Sequence, residues 1–428
     1  MSAAGNAQQR DPYPDALRAC ALIVVVLGHW MATLPRIAGG HLVDTDHLLA
    51  VWDSAGFLTW VVQVVPLFVF VSAAVSADGV ARRMAQGGQQ AWWASRALGL
   101  ARPTVTYLAV LVALALVSLL TGGRLLGVFN TSLTVHLWFL LMLLTVQALL
   151  PWCLRLDERF GLGAVVALVA VAALADVLRA DVSSPDDLRR LGRNVSEHPA
   201  GIAWLNMLVV WLIPQQLGIA WKRGRFRGVG AGAGFLAFGA AWLVLAMASG
   251  YPVAMVGVSL AGNNMLPPTL ALVGVMWLQV GAVLLFEPLA RRVLAWRTPA
   301  RLIAVLGALG MPLYLWHKLA ELPAAWLGER LGLPIDAGVP GEAGFWLGRA
   351  CWIALCSLAV APVIAAVVRF ELRRDREVPA TEQGWAIVLG GIALYAGLVS
   401  ALVLGVWPGA VVGLAAVALA SRRLRRRG

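Results

Sequence analysis

DALRACALIVVVLGHWMATL, Asp15 to Leu34, is the stretch whose reading decides the fold. It is an apolar run with an arginine near one end and a histidine near the other. Twenty residues at about 1.5 Å each cross a hydrocarbon core, so the spacing predicts a transmembrane helix. Arg18 and His29 are eleven residues apart. That is close to three full turns, which stacks both side chains on one face about 16 Å apart. An arginine at the bilayer centre costs about 2.5 to 3.5 kcal/mol, so this polar stripe should face protein or water rather than lipid.

The rest of the chain agrees with a membrane reading. Of 428 residues, 60% are hydrophobic and 13% charged, against roughly 25% charged in a soluble domain. The first apolar run is too long for a signal-peptide core and has no small-residue cleavage site after it, so it is expected to remain attached. The four cysteines, Cys20, Cys153, Cys351 and Cys356, lie in or beside apolar helices without ligand spacing, which argues against disulfides and against a metal. The net charge of +12 does not point to nucleic acid, because the arginines fall in short loops between spans.

Hydropathy predicts spans near 15–34, 56–77, 98–120, 134–153, 161–178 and 201–221. A second set follows near 228–249, 268–286, 302–320, 345–368, 384–403 and 405–420. The expected fold is an all-α polytopic membrane protein, with about ten core helices in residues 1–370 and a C-terminal helical hairpin with a basic tail in 371–428. Arginine-rich loops alternate with arginine-poor ones: Arg82 to Arg96, Arg155 to Arg159, Lys222 to Arg227, Arg291 to Arg301 and Arg369 to Arg376 are basic. By the positive-inside rule these loops and both termini are expected in the cytoplasm, and His41 to Asp53 outside. The tail from Ser421 to Arg427 would lie against anionic lipid. The longest polar stretch, Arg179 to His198, has mixed charge; it reads as a surface loop or as a lid over an outer site.

Further polar residues recur in apolar surroundings. The fourth span opens HLWFLLMLLTVQALLPW, with His136 and Trp138 at its entry. The ninth contains LYLWHK, with Tyr314 and His317. His317 lies about as deep in its span as His29 does in the first, and His136 is near that level too. Three of the six histidines thus converge on one depth, and ionisable residues in spans are functional by default. NNMLPPTLALVGVMWLQ, from Asn263, reads as a helix entered through two prolines, with Asn263 and Asn264 as helix caps or as ligands for substrate hydroxyls.

These motifs carry a family resemblance. Arginine, ten residues and histidine in YPDALRACALIVVVLGH, the PLFVFVSAAVSA run from Pro66, HLWFL from His136 and LYLWH from Leu313 together resemble the membrane acyltransferase 3 family over about residues 11 to 320. The pair of arginines that the family usually carries just before a proline is displaced here, to Arg96 and Arg102 before Pro103. The glutamate that some branches carry in the fourth helix is absent. The resemblance implies transfer of an acyl group, commonly acetyl, from cytoplasmic acyl-coenzyme A to a hydroxyl or amine of an extracytoplasmic glycan, lipid or small molecule, with no permanently bound cofactor. His29 would be the general base and His317 would orient substrate or share its proton. Arg18, with Arg96 and Arg102, would bind the donor's phosphates, although Arg18 could instead pair with Asp15. His136, Trp138, Asn263, Asn264 and Tyr314 would support the acceptor side. A glycan or lipid transporter, with the polar stripe lining a pathway, is the alternative.

Overall fold

Thr33, Leu34 and Pro35 set where the first helix stops. A computed structural model describes residues 11–180, 182, 184–197, 201–257, 262–336, 338–374 and 380–425. Helix α1, Pro12–Ala32, starts on an Asp11 cap whose carboxylate accepts from the Tyr13 N–H at 3.1 Å. It ends two residues before Leu34, because a residue that precedes proline is pushed to extended backbone. The chain then forms strand β1, Thr33–Ala38, which pairs antiparallel with β2, His41–His47. Gly39 and Gly40 join them with φ of +58° and +79°. A two-residue turn of that kind needs positive φ at both positions, which only glycine adopts without cost. The first span therefore ends two residues earlier than expected, and a β-hairpin occupies what read as a plain loop.

The remaining spans follow the hydropathy with shifted ends. Helices α2, Val65–Ala85, and α3, Gln89–Leu120, both reach further than expected and place Arg82, Arg83, Arg96 and Arg102 on helix. The fourth span is corrected more substantially. Helix α4, Trp138–Ala148, begins only after His136, and the helix breaks at Leu149. The next helix, α5, Leu150–Phe160, is bent by 115° from α6, Gly163–Arg179, across Gly161. Arg179, expected in a loop, is the last residue of α6 and is buried beside Asp176 at 3.1 Å. Helices α7, Asn206–Lys222, and α8, Gly228–Ala248, follow as expected, while α9 spans Leu270–Leu294. The ninth span is α10, Arg297–Trp316, after which a turn leads into a separate helix, α11, Glu321–Arg330. Helix α12 runs Ala343–Arg374, and α13, Gly384–Leu404, folds back on α14, Val411–Leu424.

Among the described residues, ten helical stretches are long and apolar enough to cross a membrane, and the α5–α6 pair is an eleventh candidate. The protein is an all-α, multi-pass membrane protein. Small residues let its helices approach closely: a Cβ on Gly218 of α7 would sit 2.0 Å from the Phe70 carbonyl oxygen of α2. The C-terminal hairpin closes in the same way, with Gly397 and Gly413 facing each other across α13 and α14.

Ion pairs identify two ends. At one, Arg291 joins Asp11 at 2.8 Å, Lys222 joins Asp78 at 3.0 Å and Arg225 joins Asp157 at 2.9 Å. At the other, the β-hairpin is tied to α11 and its flanks: Leu42 donates to Glu329 at 2.9 Å, Arg124 pairs with the same carboxylate, and Arg36 lies 3.8 Å from Asp336. We call these the arginine end and the hairpin end. Asp181, Ser183 and His198 of the suspected lid lie outside the described residues, as do Asp375 to Pro379 and the tail from Arg426.

Candidate active site

Three of the six histidines meet near the hairpin end. His29 lies one turn before the end of α1, His317 follows α10 directly, and His136 sits in the turn before α4. The His29 and His317 rings stack with centroids 5.0 Å apart, and His136 packs edge-on against His317 at 5.4 Å. His136 and His317 are fully buried, whereas His29 is partly exposed.

Hydrogen bonds fix which nitrogen carries which proton. His317 Nδ1 lies 2.8 Å from the Tyr314 carbonyl, which can only accept, so Nδ1 carries the hydrogen. Neutral His317 then offers Nε2 as an acceptor. His29 Nδ1, 2.7 Å away, must be the donor. The His29 lone pair therefore sits on Nε2, which makes no hydrogen bond among the described residues. This arrangement orients one imidazole through another, as a triad's third member orients its base. It leaves a proton acceptor free at the partly exposed ring. The Trp30 indole donates to the His317 carbonyl at 3.0 Å and fixes the turn that carries the second histidine.

The aromatic residues around the cluster hold its shape. Tyr314 donates to the His136 carbonyl and Tyr107 donates to the Leu133 carbonyl at 2.6 Å, so both hydroxyls are engaged by backbone. Among the described residues neither His136 ring nitrogen has a well-formed hydrogen bond, and the Leu315 backbone lies beside the ring. Trp138 turns to the Trp211 ring, 6.0 Å away.

The other expected site residues make contacts of their own. Asn263 Oδ1 accepts from the backbone of Met265 and Leu266 at 2.9 and 3.0 Å, and the Asn264 amide bonds Ala254 and Thr269 at 3.0 and 2.7 Å. These side chains brace the loop before α9, and the helix cap itself is Thr269. At the arginine end, Arg18 pairs with Asp15 at 2.5 Å. Arg96 stacks over the Trp92 ring at 5.6 Å, lies close enough to Arg18 to feel its charge, and has no acidic partner among the described residues. Six residues separate Arg102 from Arg96 on the continuous α3, which turns it to another face, about 120° around.

Three residues of the site were not singled out from the sequence. Lys318 donates to Glu321 at 2.6 Å and to Thr33 at 3.1 Å, and the Thr33 hydroxyl in turn reaches the His29 carbonyl at 3.1 Å. The signal for two of them was present. In HKLAEL, Lys318 and Glu321 stand three apart within an apolar run, the spacing of a helical ion pair.

Comparison with known proteins identifies the family of the chain. The family model described as an acyltransferase domain, of the type 3 family, matches residues 11–368. No curated protein and no solved structure matches the chain.

Proposed function

The chain belongs to the membrane acyltransferase 3 family, and on that premise we propose that it moves an acyl group, commonly acetyl, from acyl-coenzyme A to a hydroxyl or amine of a glycan, lipid or small molecule of the cell envelope. The observation that carries this reading is the free Nε2 of His29, left as a proton acceptor by the His317 and Tyr314 hydrogen bonds behind it. A neutral imidazole accepts the proton of an attacking hydroxyl and returns it to the leaving thiolate.

The two ends suit the two substrates. Arg18 and Arg96, of like charge with one carboxylate between them, favour an anion such as the donor's phosphates. Their end collects the arginine-rich loops and is assigned to the cytoplasm of a bacterial inner membrane, with both termini. The hairpin end then faces outward and receives the acceptor. The roughly 16 Å between Arg18 and His29 along α1 matches the reach of a pantetheine arm, so the acyl group reaches His29 while the nucleotide stays inside.

Purified protein in vesicles, incubated with radiolabelled acetyl-coenzyme A and total envelope glycans and lipids, tests the reading. Label transferred to an envelope component supports it. Acceptor transport without any label transfer would favour a transporter and reject it.

A further inference from the structure

Lys318 takes no part in the imidazole relay, yet its surroundings are unusual. The residue is only 5% exposed, and its ammonium donates to Glu321 Oε1 and Thr33 Oγ1 and has no third acceptor among the described residues. Glu321 is fully buried, and its second oxygen has no hydrogen-bond partner among the described residues. Arg349, 1% exposed, donates to the carbonyls of Thr33 and Ile335 at 2.6 and 3.2 Å and has no acidic partner within ion-pair distance among the described residues. Of these two buried cations, Lys318 has an ion-paired carboxylate and Arg349 has none among the described residues.

That imbalance lies against the histidines. Lys318 follows His317 in the chain, Thr33 links its ammonium to the His29 carbonyl, and its charge is felt at His29, His136 and His317 alike. A buried pair retained for stability is commonly matched or bettered by apolar residues, and an unbalanced one is worse. A dry site with surplus positive charge and an uncommitted N–H suits an anion that appears only during reaction.

We propose that Lys318 is a catalytic residue that stabilises the oxyanion of the tetrahedral intermediate, with Glu321 and Thr33 holding its ammonium in place. The proposal rests on the acyl-transfer reading. As His29 Nε2 takes the proton of the acceptor hydroxyl, the hydroxyl oxygen bonds to the thioester carbonyl carbon, and the C=O electron pair moves onto the carbonyl oxygen. The third N–H of Lys318 meets that oxygen. On collapse the pair returns, the C–S bond breaks, and the proton held by His29 passes to the departing sulfur to give the free thiol. Lys318 keeps all three of its protons throughout.

The test compares wild type, Lys318→Arg, Lys318→Met and the double variant Lys318→Met with Glu321→Leu in one vesicle preparation, with acyl-coenzyme A binding measured separately. The expected result for Lys318→Met is a fall in kcat of about 10² to 10³-fold at unchanged donor affinity. Lys318→Arg, which keeps the charge, should recover part of it, and the double variant should recover none. The double variant leaves no unpaired buried carboxylate, so it reads the role of the ammonium even if Lys318→Met folds poorly. Wild-type kcat in the double variant would make the pair structural and overturn the proposal. A wild-type protein that binds donor but transfers nothing would reject the acyl-transfer reading instead.

Discussion

Nδ1 of His29 lies 2.7 Å from Nε2 of His317, although 288 residues separate them in the chain. With the Tyr314 carbonyl behind it, this contact decides the direction of the relay: His317 is the orienting ring and His29 the acting one.

His317→Ala removes the acceptor that holds the His29 ring. The ring then rotates and samples both tautomers, and a misplacement of about 1 Å costs about 10²-fold in rate. Donor binding, at the other end, should be unchanged. Nitrogen-15 spectra of histidine-labelled protein provide the check: wild type should show His29 protonated at Nδ1 alone, and His317→Ala should show a mixture. A single unchanged tautomer in the variant would contradict the relay.

At the arginine end, Arg18→Ala should weaken acyl-coenzyme A binding by about 1.5 to 3 kcal/mol if its guanidinium meets a phosphate, tenfold or more. Arg18→Lys should be a poor substitute, since an ammonium cannot make the forked contact. Arg96→Ala should behave alike. Calorimetry on the detergent-solubilised protein reads both, and unchanged affinity in both variants would move the donor site elsewhere.

Glu329 fastens the β-hairpin and responds to acid. Its hydrogen bond from Arg124, aided by the Leu42 N–H and His41, lowers its pKa from 4.5 to about 2. A carboxylate with a depressed folded pKa contributes stability that is present above the unfolded value and lost as the pH falls towards the folded one. The hairpin should therefore stay fastened at pH 5, loosen between about pH 4.5 and 2, and loosen at higher pH in Arg124→Gln. Hydrogen exchange at the Leu42 amide follows this, with the size of the effect reduced by solvent screening. Exchange indifferent to acid in this window would contradict the assignment.

Gly218→Ala tests the packing beneath the site. The added methyl would meet the Phe70 carbonyl at 2.0 Å, so α2 and α7 must part, at a cost of about 1 to 3 kcal/mol. A lower unfolding temperature in detergent is expected, and an unchanged one would show that the helices are not so closely packed.

How much of this was legible in the sequence depends on range. Arg18, His29 and His317 stood out because an ionisable residue in an apolar run is costly wherever the helix packs, and their depth followed from counting residues along each span. Lys318 and Glu321 were legible as an i, i+3 pair but not as a charge beside His29, because that requires α1, α10 and α11 to be brought together. The hairpin is not legible in the sequence, because the polar stretch from His41 reads equally well as a loop until β1 and β2 are paired. Arg155 to Arg159 reads as a loop between two spans, yet it continues helix α5 up to the bend at Gly161, and Gly218 escaped because the carbonyl it admits is 148 positions away. The asparagines were misleading for a local reason: the side chain that caps a helix and the one that braces the preceding loop look the same in sequence, and here Thr269 is the cap.

The central claim is that His29 is the base, and His29→Ala tests it most directly. Acyl transfer and acyl-coenzyme A binding are measured on the same vesicles. The account predicts that transfer falls by about 10² to 10⁴-fold, the usual contribution of a positioned general base, while donor binding is retained. Transfer at the wild-type rate by His29→Ala protein would contradict it.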